Sequence, residues 1–327
     1  MTDPGITLQQ AVPYIRLYKG KTFVVKVGGN ILQQVEVLDS LTEDLTLLHQ
    51  VGIRIVMVHG GGPQASEMCK KLGIEPTIIA GRRVTDEQTL EVAKMVYAGT
   101  LNIDILTSLR GHQTPAVGIS GVDGQLITAR KRPKKQVEPS PGSPPVEVDF
   151  GFVGDITGVD TSILERLLDG GTVPVISPLA CDEQGTVFNI NADSIAEAVA
   201  RALKAEKLLI LTDADGILRD VRDPASLVSY ADIAEVERMR EQGLLTGGML
   251  PKVEGAIAAL RGGVRRAHII NGTRIGALLM EIFTNAGCGT MIAGRKEPEP
   301  APALPSAGPV PRTVEEQATA KAEPAAA

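Results

Sequence analysis

Short, unbroken apolar runs recur along the chain, each bounded by turn-forming residues. They are TFVVKV (22–27), IRIVMVH (53–59), TPAVGI (114–119), TVPVIS (172–177), KLLILT (207–212) and AHIIN (267–271). Continuous rather than alternating apolar character is expected of strands covered on both faces. Between these runs, apolar positions return at helical spacing over 33–50, 63–72, 86–110, 160–169, 192–204, 232–242 and 252–262. Strands alternating with helices predict an α/β fold, a three-layer αβα sandwich around a mostly parallel open sheet. In such sheets ligands bind beyond the carboxyl ends of the strands, so the junctions between strand and loop carry the functional reading.

Two stretches break the pattern. KRPKKQVEPSPGSPPVE (131–147) is first basic and then proline-rich, and reads as a solvated surface insertion between strands. Residues 295–327 hold seven of the chain's 21 prolines and no Ile, Phe or Tyr. A segment that can bury so little apolar surface is expected to be disordered.

Composition narrows the class. The 327 residues are 43% hydrophobic and 22% charged, a globular balance, but only 3% aromatic and without Trp, so the core must be aliphatic. A net charge of -6 argues against a nucleic-acid partner, which calls for a basic face. Cys69, Cys181 and Cys288 are isolated thiols with no CxxC spacing, expected as small core or near-core residues in a reducing compartment. The N-terminus lacks the basic start and apolar run of a signal peptide, and no apolar stretch approaches the roughly 20 residues that span a bilayer. These features predict a cytoplasmic protein with no membrane partner.

Three glycine-rich junctions stand out: KVGGN (26–30), VHGGGPQ (58–64) and TGGMLPKV (246–253). Glycines let backbone N–H groups approach an oxyanion closely, and the second junction opens straight into a helix, whose N-terminus favours anions. One Gly-Gly pair is as well read as a tight turn; three at strand ends or helix starts favour phosphate. Lys26 and Lys252 accompany two of them. Lys26 read alone either meets an anion held over the glycines or snorkels from a strand end. Gly20-Lys21-Thr22 is no phosphate loop, because position 15 is Ile and the strand follows rather than precedes it.

Further polar clusters sit at element ends. FNINADSIAEAVARAL (188–203) runs Asn189, Asn191 and Asp193 into a helix, so Asp193 is either its cap or an anchor for a neighbouring ammonium, with the asparagines donating to a ligand. LTDADGIL (211–218) offers Thr212, Asp213 and Asp215 at a strand end, read as an Asp-Gly turn or as a nucleotide contact. In GRRVTD (81–86), Arg83 is a surface arginine or a bidentate clamp on a substrate carboxylate, before a helix capped by Thr85 or Asp86.

In order along the chain, KTFVVKVGGN, VMVHGGGPQ, GRRVTD, VDFGFVGDI, VFNINADSIA, LTDADGIL, LTGGMLPKV and GCGTMI resemble the signatures of the acetylglutamate kinases, within the amino-acid kinase family, over roughly residues 9–294. The resemblance implies that family's carbamate kinase-like fold and ATP-dependent phosphorylation of the γ-carboxylate of N-acetyl-L-glutamate, the second step of arginine synthesis by the acetylated route. It divides the chain into an N-terminal helix (1–20), an acylamino-acid lobe that also makes subunit contacts (21–185), an ATP lobe (186–294) and the tail (295–327). The family's catalytic lysines fall on Lys26 and Lys252, and its organising aspartate on Asp193. Gly61, Gly62, Arg83, Asn189 and Asn191 fall at the acylamino-acid site. Gly28, Gly29, Thr212, Asp213, Asp215, Gly216, Gly247 and Gly248 fall along the nucleotide.

ATP with Mg²⁺ held mainly by the phosphates, rather than by a protein metal site, is the implied cofactor. ITLQQAVPYIRLYKG (6–20) resembles the extra helix of arginine-inhibited, hexameric members, which implies a homo-oligomer (dimer or hexamer) and an L-arginine site including Tyr14, His268 and Glu281. Arg82, where the family usually has leucine, and NGTRIG (271–276) depart from the pattern. Two other readings stand beside this one. One is a kinase acting on carrier-protein-bound aminoadipate or glutamate, which calls for a basic surface at the pocket mouth such as 130–135. The other is a non-catalytic, effector-binding member, which has no need to retain Lys26, Asp193 and Lys252 together.

Overall fold

The computed structural model describes residues 7–79, 82–138, 143–245, 247–284 and 287–295. The six apolar runs become six adjacent strands of one eight-stranded sheet, reaching one of its edges at the run 114–119. Its strands are β1 (Thr22–Val27), β2 (Arg54–His59), β5 (Ala116–Ser120), β10 (Val173–Ser177), β13 (Lys207–Thr212), β14 (Tyr230–Asp232), β15 (Arg266–Asn271) and β16 (Thr290–Ala293). The spatial order is β14-β16-β15-β13-β1-β2-β10-β5. Every neighbouring pair is parallel except β15 with β16. A smaller four-stranded sheet joins β6 (Ile127–Lys131), β9 (Gly154–Val159), β11 (Leu179–Cys181) and β12 (Val187–Asn189). Two hairpins, β3 (Ile78–Ile79) with β4 (Arg82–Arg83) and β7 (Lys135–Val137) with β8 (Val146–Val148), complete the strands among the described residues.

Strand side chains alternate between the two faces of the main sheet, and each face is buried. Val24, Val56, Val58, Ile210 and Ile269 point to one side, where α6 (Ser162–Asp169), α7 (Ala192–Ala202), α8 (Ile233–Glu241) and α9 (Met249–Arg261) cover them. Val25, Ile55, Met57, Leu209 and Ile270 point to the other. There they meet α1 (Leu8–Tyr18), α2 (Val35–Gln50), α3 (Gly62–Lys71), α4 (Glu87–Lys94), α5 (Asn102–Gly111) and α10 (Ala277–Phe283). This is the three-layer sandwich expected from the sequence. The sheet runs unbroken past the expected division at residues 185 and 186, because β1 pairs with β13, and both apolar layers draw on both halves.

Two expectations are corrected. The helix expected over 86–110 is three pieces: α4, a π-helical turn at Met95–Leu101, and α5. The wider turn carries the buried Tyr97 and Leu101 toward the glycine junction after β2. The 131–147 insertion is not simply a loop, because the β7–β8 hairpin forms within it, with Val137 and Val148 packing against Phe150 and Val153; residues 139–142 lie outside the described part. Cys69 is buried and Cys181 and Cys288 are half-buried, in keeping with the core or near-core placement expected. The 295–327 tail, apart from Arg295, lies outside the described residues. No described helix is long and apolar enough to cross a membrane.

Candidate active site

Period-two alternation decides where Lys26 goes. Phe23, Val25 and Val27 of β1 face α1 and α2, so Val24 and Lys26 face α7. The register pairs Lys26 with Ile210 of β13 and Val58 of β2, so the lysine sits at the carboxyl end of the central strand. Its side chain is 7% exposed and its Nζ lies 2.8 Å from Oδ1 of Asp193. The pair is in ion contact but not aligned as a hydrogen bond, since that Oδ1 accepts none. A buried ammonium must be compensated, and this carboxylate compensates it.

Asp193 stands in the first turn of α7, but the cap is Asn191, whose side chain accepts from the Asp193 N–H at 2.7 Å. The cap reading of Asp193 is therefore overturned, and its carboxylate is left for the lysine. Asn191 is exposed and its Oδ1 is committed to the helix end.

Lys252 reaches the same region from the first turn of α9, where its Nζ donates to the Gly248 carbonyl at 3.2 Å. Burial pushes its pKa below the ordinary 10.5, and Lys26 adds to this, while Asp193 and Asp213 oppose it. Two lysines and two aspartates thus act on one another electrostatically. Asp213 itself accepts from Asn30 at 2.9 Å and from Thr212 at 3.1 Å, and the Asn30 bond chiefly holds its carboxyl below the usual range. The Asn30 bond ties the loop after β1 to the loop after β13.

Beside this cluster is a cleft of about 280 Å³ lined by Thr212, Asp213, Gly216, Leu218, Leu244 and Lys252, among others. Its lining is largely apolar, with Asp213 and Lys252 as the charged members. Gly248 also borders it, whereas Asp215 does not. Asp215 accepts from Asn271 at 2.7 Å and pairs with Arg274 at 2.9 Å, holding the β13 loop to the loop after β15. Asp215, expected along the nucleotide, is thus engaged from outside the cleft lining. Gly247 takes a left-handed φ of 55° just before α9 and does not line the cleft; Thr246 lies outside the described residues.

The turns after β1 and β2 lie against one another. A Cβ on Gly29 would stand 2.8 Å from Pro63 Cδ and 3.2 Å from the Gly61 nitrogen. One on Gly61 would stand 2.6 Å from Leu101 and 2.7 Å from the Tyr97 ring, so the π-helical turn fixes the need for glycine there. Gly28 and Gly60 continue the strand ladders by donating to Leu211 and Val27. Among the described residues, the N–H groups of Gly29, Gly61 and Gly62 have no protein acceptor, and Gly62 opens α3, which lacks a side-chain cap. Such N–H groups suit an anionic oxygen.

Arg83 meets this same helix start, donating through Nη2 to the Gly62 carbonyl at 2.8 Å and to Ser66, while its buried Nη1 has no partner among the described residues. That leaves one arm of the guanidinium for a ligand carboxylate. Asn189 donates to Thr85 Oγ1 at 3.1 Å, and Asp86, rather than Thr85, caps α4. Gly61, Gly62 and Arg83 therefore converge, Asn189 bonds to Thr85 two residues beyond Arg83, and Asn191 caps α7.

His268 and Glu281 also fall together, away from this site, under α1, whose Tyr14 stacks on Tyr18 with ring centroids 6.4 Å apart. His268 Nδ1 lies 2.7 Å from Glu281 Oε1, and Glu281 Oε2 accepts from the N–H groups of Cys288 and Gly289 at 2.8 and 3.0 Å. Burial alone would raise the Glu281 pKa, but His268 and those N–H groups outweigh it and hold the carboxyl low. Sequence reading missed Lys207, fully buried at the start of β13, with its Nζ 3.0 Å from His268 Nε2 and 5.0 Å from the Tyr18 ring centroid. A lysine opening an apolar run gave no signal of burial. It also missed His59, at the end of β2.

Residues 21–271 match the Amino acid kinase family. The chain is 45% identical over 285 residues to the acetylglutamate kinase of Archaeoglobus fulgidus, covering 87% of this chain and 97% of that one. The chain belongs to the amino acid kinase family, and within it to the acetylglutamate kinases. Two structures of N-acetylglutamate synthase from Neisseria gonorrhoeae, one complexed with coenzyme A and N-acetyl-glutamate and one with coenzyme A and L-arginine, are also similar. Their TM-scores are 0.72 and 0.71 at 34% and 31% identity, covering 89% and 88% of this chain. This chain spans only 63% and 64% of those synthase chains. Carbamate kinase from Giardia lamblia, at TM-score 0.61 and 18% identity over 84% of this chain and 99% of its own, shares the fold.

Proposed function

We propose that this acetylglutamate kinase family member phosphorylates the γ-carboxylate of N-acetyl-L-glutamate with ATP, giving N-acetyl-L-glutamyl 5-phosphate and ADP in arginine biosynthesis. The observation that carries the site assignment is the buried Lys26–Asp193 pair within electrostatic reach of Lys252. A carboxylate is already ionised at neutral pH, so no general base is needed. Its oxygen attacks the γ-phosphorus, the bond to the β–γ bridging oxygen breaks, and ADP leaves with that electron pair. What remains is to gather negative groups and neutralise the charge they share. Lys26 would meet the transferring group from the β1 side and Lys252 from the α9 side, with Asp193 fixing both ammonium groups. The N–H groups of Gly29 and Gly61 would share the oxygens.

Arg83 would clamp the substrate carboxylate that does not react, and Gly61, Gly62 and Asn189 would line the acylamino-acid pocket. The cleft of Thr212, Asp213, Gly216 and Leu218 would take the nucleotide. Mg²⁺ would be held mainly by the phosphates. Asp193 is engaged with Lys26 and Asp213 with Asn30, and no three His, Cys, Asp or Glu side chains gather among the described residues. On the phosphates it would neutralise part of their charge. The lobe division at 185 and 186 is then one of ligands rather than of cores.

The carrier-linked alternative is disfavoured by the pairing of its basic tract. Lys131 is 3.0 Å from Asp149, Arg132 is 2.7 Å from Asp155 and Lys134 is 3.7 Å from Glu147. L-Arginine as an inhibitor is supported by the buried His268–Glu281–Lys207 group beneath α1, which meets that helix at Tyr18, and oligomerisation through α1 belongs to the same reading.

The test is ATP-dependent hydroxamate formation from acetylglutamate, glutamate, aspartate and aminoadipate, with and without arginine. Selective activity with acetylglutamate is expected; activity with none of the four overturns the substrate assignment.

A further inference from the structure

His59 is the last residue of β2 and is fully buried on the α5 side of the sheet. Its Nδ1 lies 3.0 Å from the carbonyl oxygen of Gly60. A carbonyl only accepts, so Nδ1 carries the proton. Nε2 is then the acceptor, and the Asn102 amide faces it at 3.4 Å while also donating to Val175 O at 3.1 Å. Burial pushes the imidazole pKa down to about 4, so the ring is neutral under working conditions and keeps this arrangement.

This contact acts on the next peptide unit. A trans peptide is planar, with its carbonyl and the next N–H pointing in opposite directions. Holding the Gly60 oxygen down toward the core therefore turns the Gly61 N–H outward. That nitrogen faces the Gly29 turn, 3.2 Å from where a Gly29 Cβ would be, and has no protein acceptor among the described residues. Gly60 is tethered at its other end as well, its N–H donating to Val27 O at 2.8 Å. Glycines on both sides leave the peptide free to rotate unless something holds it.

We propose that His59 is a positioning residue for phosphoryl transfer, locking the Gly60–Gly61 peptide so that the Gly61 N–H is preset toward the oxygens of the transferring group. The inference rests on the site assignment above and adds a role to a residue outside it. Asn102 orients the ring from behind, and the π-helical turn that precedes it holds Gly61 from the side through Tyr97 and Leu101.

An asparagine at position 59 can place an amide N–H where Nδ1 stands; leucine and glutamine cannot. The test compares His59→Asn, His59→Leu and His59→Gln with the wild-type full chain, by steady-state kinetics with acetylglutamate and ATP. Melting temperatures serve as the folding control. Loss of one preset donor is expected to lower kcat about 10²-fold in the leucine and glutamine variants, with each KM changed less than about threefold. The asparagine variant recovers to within about tenfold of wild type. Should leucine fail to fold, the asparagine–glutamine contrast decides. Equal kcat in asparagine and glutamine variants, or a loss confined to KM, overturns the proposal. An inactive wild type would instead refute the functional reading itself.

Discussion

Lys26 Nζ lies 2.8 Å from Asp193 Oδ1, a contact that joins the central strand of the sheet to the first turn of α7. The pairing follows from strand alternation, which turns Lys26 to the α7 face, and from Asn191 taking the capping role that would otherwise occupy Asp193. Removing one partner leaves the other as an uncompensated charge in a dry place. Lys26→Ala is expected to lower kcat by about 10³-fold and also to lower the melting temperature, whereas Lys26→Met, which keeps the apolar stem, spares stability better. Parallel kinetics and thermal melts check the split; equal melts for both variants would contradict it.

The two glycine turns make a steric prediction. Gly61→Ala collides with Leu101 and the Tyr97 ring, whereas a Cβ on Gly62 meets nothing within 4 Å. Gly61→Ala is expected to lose stability and at least about tenfold in kcat/KM for acetylglutamate. Gly62→Ala should fold like wild type, so any loss it shows reports on the ligand. Melting and kinetics of the two variants side by side decide the point.

Lys252 sets an alkaline limit. Its pKa is lowered chiefly by burial, so the free enzyme loses the ammonium below the ordinary 10.5 as pH rises. Because kcat/KM reports the free enzyme, its pH profile for ATP should fall on an alkaline limb with an apparent pKa below 10.5. Bound phosphates restore the charged form, so the limb in kcat should lie higher. Lys252→Arg, always charged, should remove the limb whatever it does to the rate. A limb that persists in this variant would assign it to another group.

Asp44 of α2 lies against the start of α10 and is 6% exposed, with its pKa raised to about 7, first by burial and then by Glu43. A carboxyl whose folded pKa exceeds its unfolded value binds more protons when folded, so it destabilises increasingly as pH rises from about 4 to about 7. Asp44→Asn is therefore expected to gain melting temperature relative to wild type across that range, with a constant gain above it. A difference independent of pH would contradict the assignment.

The sheet and most of its helices were legible because continuous apolar runs leave few alternatives to buried parallel strands. Lys26, Asp193 and Lys252 were legible only jointly, through motif order, since each has an ordinary local reading. The π-helical turn was not, because its residues keep a helical pattern and only packing against Gly61 shows the wider turn. The tether on Asp215 was not legible either, because Asn271 and Arg274, which engage it, are distant in sequence. Lys207 and His59 carried no local signal, since burial of a polar group is decided by tertiary partners such as His268 and Asn102.

The proposed mechanism turns on Lys252 acting on the transferring phosphoryl group rather than on acetylglutamate. The decisive measurement is kcat of Lys252→Ala together with its dissociation constant for acetylglutamate. A fall of about 10³-fold in kcat is expected, with the dissociation constant within about threefold of wild type; unchanged turnover would contradict that role.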